Sequence, residues 1–147
     1  MKRISLIILG IVFSFSLFLT SCSSEKDVTS EFNQFTEALM KENGNYNKAK
    51  FKLEQEKLKD GYVIMKGYIS YISDEGKMRV VISPSFYGGY KGPEIASWFD
   101  FSDNLIAISE LKQTEDIQIK GEFDYASQSS GDNKYNIYFN NPQIIIK

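Results

Sequence analysis

The 147-residue chain has no histidine, one cysteine and three prolines. Without an imidazole, Ser/His/Asp and Cys/His catalysis are excluded, and so are the usual zinc sites, which draw on histidine or several cysteines. A single cysteine, Cys22, leaves no internal disulfide. Neither G-x-x-x-x-G-K-[ST] nor G-x-G-x-x-G occurs, so no glycine-rich cradle for a nucleotide phosphate is written into the chain. A surplus of positive charge is missing as well. Of 17 Lys and Arg against 19 Asp and Glu, two basic residues, Lys2 and Arg3, lie in the first three positions; without them the balance is 15 against 19, a formal charge of −4. That sign argues against a nucleic-acid partner, whose affinity comes largely from counterions released by Lys and Arg.

What is present begins with that N-terminus. Lys2 and Arg3 precede an uncharged run from Ile4 to Leu19, the basic and apolar regions of a secretory signal. A transmembrane helix is the competing reading, but the run falls short of the roughly 20 apolar residues a bilayer span requires. Its end, Leu19-Thr20-Ser21-Cys22, resembles the lipobox of bacterial lipoproteins. The resemblance implies that residues 1–21 are removed, that the Cys22 thiol is diacylated, and that the protein is fixed to a membrane of the bacterial envelope, the outer one where the cell has two. Two or three acyl chains make such an anchor stable where one does not.

Residues 22–30, with the polar run "SSEKDVTS", read as a solvated tether. The remaining chain, 31–147, fits one domain with one core. Phe32, Phe35 and Leu39 recur at helical spacing, so Glu31 to Lys41 reads as an amphipathic helix capped by Ser30 or Thr29. In 49–57 Ala49, Phe51, Leu53 and Gln55 alternate with Lys and Glu. The two-residue period suits a strand, the residue types suit a helix, and both stay open. "YVIMKGYISYIS" from Tyr62 places Val63, Met65, Ile69 and Tyr71 on one face of a strand, with Gly67 marking a bend or bulge. Asp74-Glu75-Gly76 turns the chain into a strand with Met78, Val80 and Ile82. A long loop follows from Ser83 to Pro93. Then come an aromatic strand around Trp98, Phe99 and Phe101, a short helical turn through Ile106, a strand with Ile117, Ile119, Gly121 and Phe123, and a last strand that Pro142 should kink or place at an edge.

This order predicts a mainly β domain: a single five- to six-stranded OB-type barrel preceded by an amphipathic N-terminal helix. In the "VIMKGYIS" strand, in Leu111 followed by "IQIKGEF", and in the apolar close at Ile144 to Ile146, the chain resembles the tRNA-anticodon-binding-like family of small OB-fold bacterial lipoproteins. The resemblance covers roughly Tyr62 to Ile146 and implies a fold rather than a function.

Asp100 and Asp103 flank a turn and are candidates for calcium binding or acid/base work, and Asp132-Asn133 sits in a loop. None has the spacing of a calcium loop, and capping or solvation explains them as well. No catalytic residue, cofactor or metal is assigned. The densest binding signal is "FYGGYKGPEIASWF", where Tyr87, Tyr90, Lys91 and Trp98 could stack on and hold a ligand. In the opposing view Trp98 closes the core. Two functions are carried forward: a non-enzymatic, lipid-anchored envelope protein whose barrel is a protein-interaction or assembly module, and a binder of oligosaccharide or another envelope polymer through 86–98. Rings lining one exposed groove favour the second; rings pointing inward favour the first.

Overall fold

The computed structural model describes residues 25–42, 46–82, 92–129 and 133–146. The stretch assigned to a tether is already part of the domain from Lys26 onward. Lys26–Asp27 forms a short strand, β1, parallel to the first barrel strand, with Lys26 opposite Gly61 and Asp27 opposite Tyr62. Val28, the one apolar residue of the polar run, is fully buried, and its N–H donates to the Tyr62 carbonyl at 3.0 Å. Burying one side chain and adding one ladder bond is enough to fix a stretch that composition alone assigns to solvent.

Helix α1, Thr29–Lys41, buries Phe32, Phe35, Thr36 and Leu39 as its spacing predicts. The expected hydroxyl cap is absent. The Asp27 carboxylate accepts from Thr29 N–H at 2.9 Å, and the Thr29 hydroxyl accepts from Ile64 N–H at 3.0 Å. Thr29 thus ties the helix to the sheet and leaves the cap to its neighbour.

The segment 49–57 is helix, α2, spanning Lys48–Leu58. Asn47 caps it, its side-chain oxygen accepting from the N–H groups of Ala49 and Lys50. The period-two pattern misleads because Leu53 stays 66% exposed. The contacts that matter are Phe51, Gln55 and Leu58, at i, i+4 and i+7, one stripe of a helix. Phe51 packs against Phe35 and Tyr135, and the Gln55 side chain accepts from Ala126 N–H at 2.8 Å.

The barrel strands are β2 (Gly61–Ile72), β3 (Lys77–Val81), β4 (Glu94–Asp100), β5 (Asp116–Gln128) and β6 (Lys134–Ile146), with a 3₁₀ turn at Leu105–Ile108 between β4 and β5. The order is β1-β2-β3-β4-β6-β5, and β5 pairs back onto β2 to close it. Within the closed barrel only β4 and β6 run parallel. A closed five-stranded barrel of this connectivity, with its helical turn between the third and fourth barrel strands, is the OB fold; β1 and the preceding α1 are additions to it.

Three corners fold one ribbon of strands into two sheets. β2 pairs with β5 from Tyr62 to Tyr68 and with β3 from Tyr68 to Ile72, so it changes sheets beside Gly67. A Cβ on Gly67 would lie 2.5 Å from the Val81 carbonyl oxygen, closer than any side chain tolerates. β5 leaves β2 after Glu122 for β6 alone. There the stacked rings of Phe99 and Phe139, 5.2 Å apart, lie over Gly121, whose added Cβ would meet Phe139 Cβ at 2.9 Å. β6 loses β4 after Phe139 and takes an extra residue between Asn140 and Gln143, with Asn141 at φ 48°; the kink predicted at Pro142 is there.

The register slip in β2 falls between Ile69 and Tyr71 rather than at Gly67. It turns Tyr71 out of the face predicted for it, to 43% exposure, and sends Ile72 toward the core instead. A bulge adds one residue to one strand, so every side chain beyond it changes sides.

Candidate binding face on the outer sheet

Strands alternate, so each residue directed inward leaves its neighbours directed outward. β4 sends Ile95 and Phe99 into the core and keeps Trp98 half-buried on the outer side; β6 does the same with Tyr135, Ile137 and Phe139 against Tyr138. Trp98 therefore does not close the barrel, contrary to the core reading. Cross-strand register then brings five side chains into one row. Tyr71 pairs with Arg79, Arg79 with Trp98, Trp98 with Tyr138, and Tyr138 with Tyr125. At the spacing of neighbouring strands the row runs about 19 Å across the sheet.

The row is locked by its own contacts. The Arg79 guanidinium lies over the Trp98 ring at 5.8 Å, donates to the Ser70 hydroxyl at 3.0 Å and pairs with Glu94. The Trp98 indole N–H donates to the Asn136 side-chain oxygen at 3.0 Å, and the Tyr71 ring sits 6.2 Å from it. Tyr125 and Tyr138 stack at 4.3 Å with 14° between their planes. Partial burial, with Tyr138 alongside, raises the Tyr125 hydroxyl above its usual pKa. A groove of about 710 Å³ opens at the Tyr71 end, lined by Tyr71, Ser73, Asp74, Lys77, Arg79 and Trp98 among others.

Of the residues singled out in the sequence, Trp98 is brought to this face. Tyr87, Tyr90 and Lys91, like Cys22, lie outside the described residues. Tyr71, Arg79, Tyr125 and Tyr138 were not singled out. The signal available for the last was the alternation in "YNIYF", where one strand offers aromatics to both faces. Nothing short of the register could have joined it to residues on four other strands.

Asp100 is committed elsewhere. It pairs with Lys77, its opposite residue on β3, and accepts from Ser102 N–H at 2.9 Å. Lys77 and then Ser102 hold its carboxyl down to about 2. With Asp103, Glu122 and Asn140 it lines a polar cleft of about 530 Å³ where β4 and β6 part. Among the described residues no group of three or more His, Cys, Asp or Glu comes together in a way that could hold a metal ion.

No protein-family model matches the chain, and no curated protein matches it. Solved structures do resemble it. One is a lipoprotein of Klebsiella pneumoniae subsp. pneumoniae, provisionally described as nucleic acid-binding, at 14% identity over 83% of this chain and 91% of that one, with a TM-score of 0.45. Another is an OBody bound to hen egg-white lysozyme, 19% identical over 62% of this chain and 87% of its own, TM-score 0.40. A third is a mitochondrial single-stranded DNA-binding protein of S. cerevisiae, 7% identical over 58% and 95%, TM-score 0.35. The OB topology of the present chain rests on its own strand order and pairing.

Proposed function

We propose that the protein is a lipid-anchored, non-enzymatic component of a bacterial envelope, akin to the tRNA-anticodon-binding-like lipoproteins, whose barrel docks a protein partner through the outer aromatic row. The observation that carries the docking is the unbroken register of Tyr71, Arg79, Trp98, Tyr138 and Tyr125 across five strands. Tyr, Trp and Arg are the side chains that protein interfaces concentrate. Ligands that stack, whether sugars or bases, need open ring faces. Here Tyr125 and Tyr138 each cover one face of the other and Arg79 lies over Trp98, which reduces the open ring area for stacking and favours a protein surface. Charge agrees, because Arg79 is paired with Glu94 and Lys77 with Asp100, leaving little to hold a chain of phosphates. The anchor rests on the signal and the Leu19-Thr20-Ser21-Cys22 sequence.

A photoreactive residue in place of Tyr125, in the full-length membrane-anchored protein, should yield one discrete protein adduct that Trp98→Ala abolishes. Adducts unaffected by Trp98→Ala, or none, would refute the row as a docking face. Cys22→Ser should leave an unacylated, uncut precursor; a mutant that is still cut before residue 22 and still partitions into detergent would refute the anchor.

The groove beside Tyr71 and Trp98 favours a second reading, binding of an oligosaccharide or other envelope polymer. Saturable binding in a glycan screen, lost with Tyr71→Ala, would favour it over the protein partner.

A further inference from the structure

The barrel has a second outer face, beyond the corners at Gly67 and Gly121, where β2, β5 and the end of β6 lie side by side. Lys66 pairs with Gln118 and Ile64 with Lys120 across β2 and β5, and Gln118 pairs with Ile146 and Lys120 with Gln143 across β5 and β6. Because Ile117 and Ile119 point into the core, Gln118, Lys120 and their partners point out. The edge is apolar: Ile145 is 46% and Ile146 57% exposed. A shallow groove of about 450 Å³, lined by Lys66, Gly67, Asp116, Ile117, Gln118 and Ile146, runs beside it. Among the described residues β6 pairs with no strand but β5 beyond Phe139, so this edge also carries unpaired backbone groups.

The chain enters the domain on this same face. Glu25 pairs with Lys120, and the Lys120 ammonium lies 4.1 Å from the centre of the Tyr62 ring. Cys22 stands only three residues before Glu25 in the sequence, a span of at most about 11 Å even when fully extended. Ile146 is opposite Gln118, two residues from Lys120 along β5 and one strand away, on the order of 10 Å from the point where Glu25 is held. Whatever Cys22 is attached to therefore lies within reach of the exposed isoleucines.

We propose that this face, with Ile145 and Ile146 at its edge and Tyr62, Lys66 and Lys120 across it, rests on the bilayer surface, so that the barrel is held in one orientation with its aromatic row turned away from the membrane. The proposal rests on the anchored reading of Cys22. The occupant that fits is a lipid headgroup layer. Exposed isoleucines enter its apolar side, an aromatic ring and lysines on long apolar stems suit its polar side, and unpaired strand-edge groups keep water and headgroup partners there that the hydrocarbon core denies them. The two residues between Cys22 and Glu25 leave little length for the domain to swing clear.

The test uses the acylated full-length protein, in which the lipid consumes the only native thiol, so that a cysteine introduced elsewhere is the only one labelled. Ile146→Cys and, separately, Tyr125→Cys carry an environment-sensitive fluorophore in vesicles of phosphatidylethanolamine and phosphatidylglycerol, with a nitroxide quencher on some acyl chains. The label at 146 should shift to the blue and lose emission to the lipid quencher, while the label at 125 stays quenchable by iodide from the water. Equal lipid quenching at both positions, or none at 146, in a protein whose acylation is verified by mass would overturn the resting face and leave the anchor standing. A label at 146 shielded from lipid and iodide alike would mean that a second copy covers the edge, and would also overturn it. An unmodified Cys22 by mass would overturn the anchor and this proposal with it.

Discussion

On one side of the corners at Gly67 and Gly121 the outer surface carries Tyr71, Arg79, Trp98, Tyr138 and Tyr125 in a single row, with Tyr71 and Arg79 against Trp98 and Tyr125 stacked on Tyr138. On the other side it carries Tyr62, Lys66, Gln118, Lys120 and Ile146, with the last exposed at an open edge. Three strands, β2, β5 and β6, contribute to both. The contrast comes from where each strand turns: the same alternation of inward and outward residues is continued across a corner, but the outward residues beyond it face a different direction. Local sequence writes the alternation, and the corner decides which neighbours each outward side chain meets.

The most disruptive way to break the contrast is at the corners themselves. Gly67→Val drives a side chain into the Val81 backbone, which cannot move without parting β2 from β3, and should cost about 3 kcal/mol. Gly121→Val meets Phe139 Cβ at 2.9 Å, with the Phe99 ring next at 3.1 Å, so side chains and not a strand carbonyl must give way, and it should cost about 2 kcal/mol. Chemical denaturation of the two variants gives both values; the reverse order would show that the ring stack, not the strand contact, is the stiffer corner.

Next in size is the row. Trp98→Ala removes a half-buried ring and strips Arg79 of its cation–π partner, for about 2 kcal/mol, below the 3 to 5 kcal/mol of a fully buried aromatic. A loss as large as that upper range in a denaturation experiment would make Trp98 a core residue in effect and weaken its case as a contact residue. On the opposite face, Ile146→Asn touches an exposed position and should change stability by less than about 0.5 kcal/mol. If it destabilises as much as Trp98→Ala does, the edge is packed against something and is no free surface.

The smallest effect is at the seam where β4 leaves β6. The Asp100 carboxyl is held down to about 2 from an ordinary 3.8, by Lys77 first and Ser102 second. A depressed carboxyl adds stability that is present above the ordinary value and lost as the pH falls through the depressed one. Asp100→Asn should therefore lower the melting temperature slightly at pH 7 and converge with the parent between about pH 4 and pH 2. Both partners are close to half exposed, so the difference at neutral pH is that of a surface pair. A difference that persists unchanged at pH 2 would assign the effect to the Ser102 turn and not to charge.

Much of the barrel was legible because its strands repeat a simple physical rule. Val63, Met65 and Ile69 recur on one face of their strand, Ile117, Ile119 and Phe123 alternate with polar residues, and both sets are buried. Phe32, Phe35 and Leu39 fix α1 in the same way at helical spacing. The corners were partly legible too, since Gly67 and Gly121 stand where a longer side chain would be expected to pack. What misled was any segment whose burial is sparse. In α2 the two apolar positions packed on the core, partly buried Phe51 and fully buried Leu58, lie seven apart, a spacing too wide to outweigh an alternating run of Lys and Glu. In residues 26–28, one buried valine and two pairs of ladder partners outweigh a composition that is otherwise all solvent.

The sequence by itself determined the inward half of the protein. Apolar periodicity is a local property, and water drives those faces together whatever the rest of the chain does. It also supplied the one cysteine just after an uncharged N-terminal run, the feature on which the proposed anchor rests. Only the tertiary structure decided the outward half. Tyr71 left the core because of a slip between Ile69 and Tyr71. Arg79, Trp98, Tyr138 and Tyr125 became one row because parallel and antiparallel pairings on β4, β5 and β6 happen to align them. Glu25 reached Lys120, 95 residues away, because β1 runs beside β2 and β5 closes the barrel onto it. Surface neighbours of this kind depend on register and closure, which are set by all the strands at once, so no single stretch of the chain carries them.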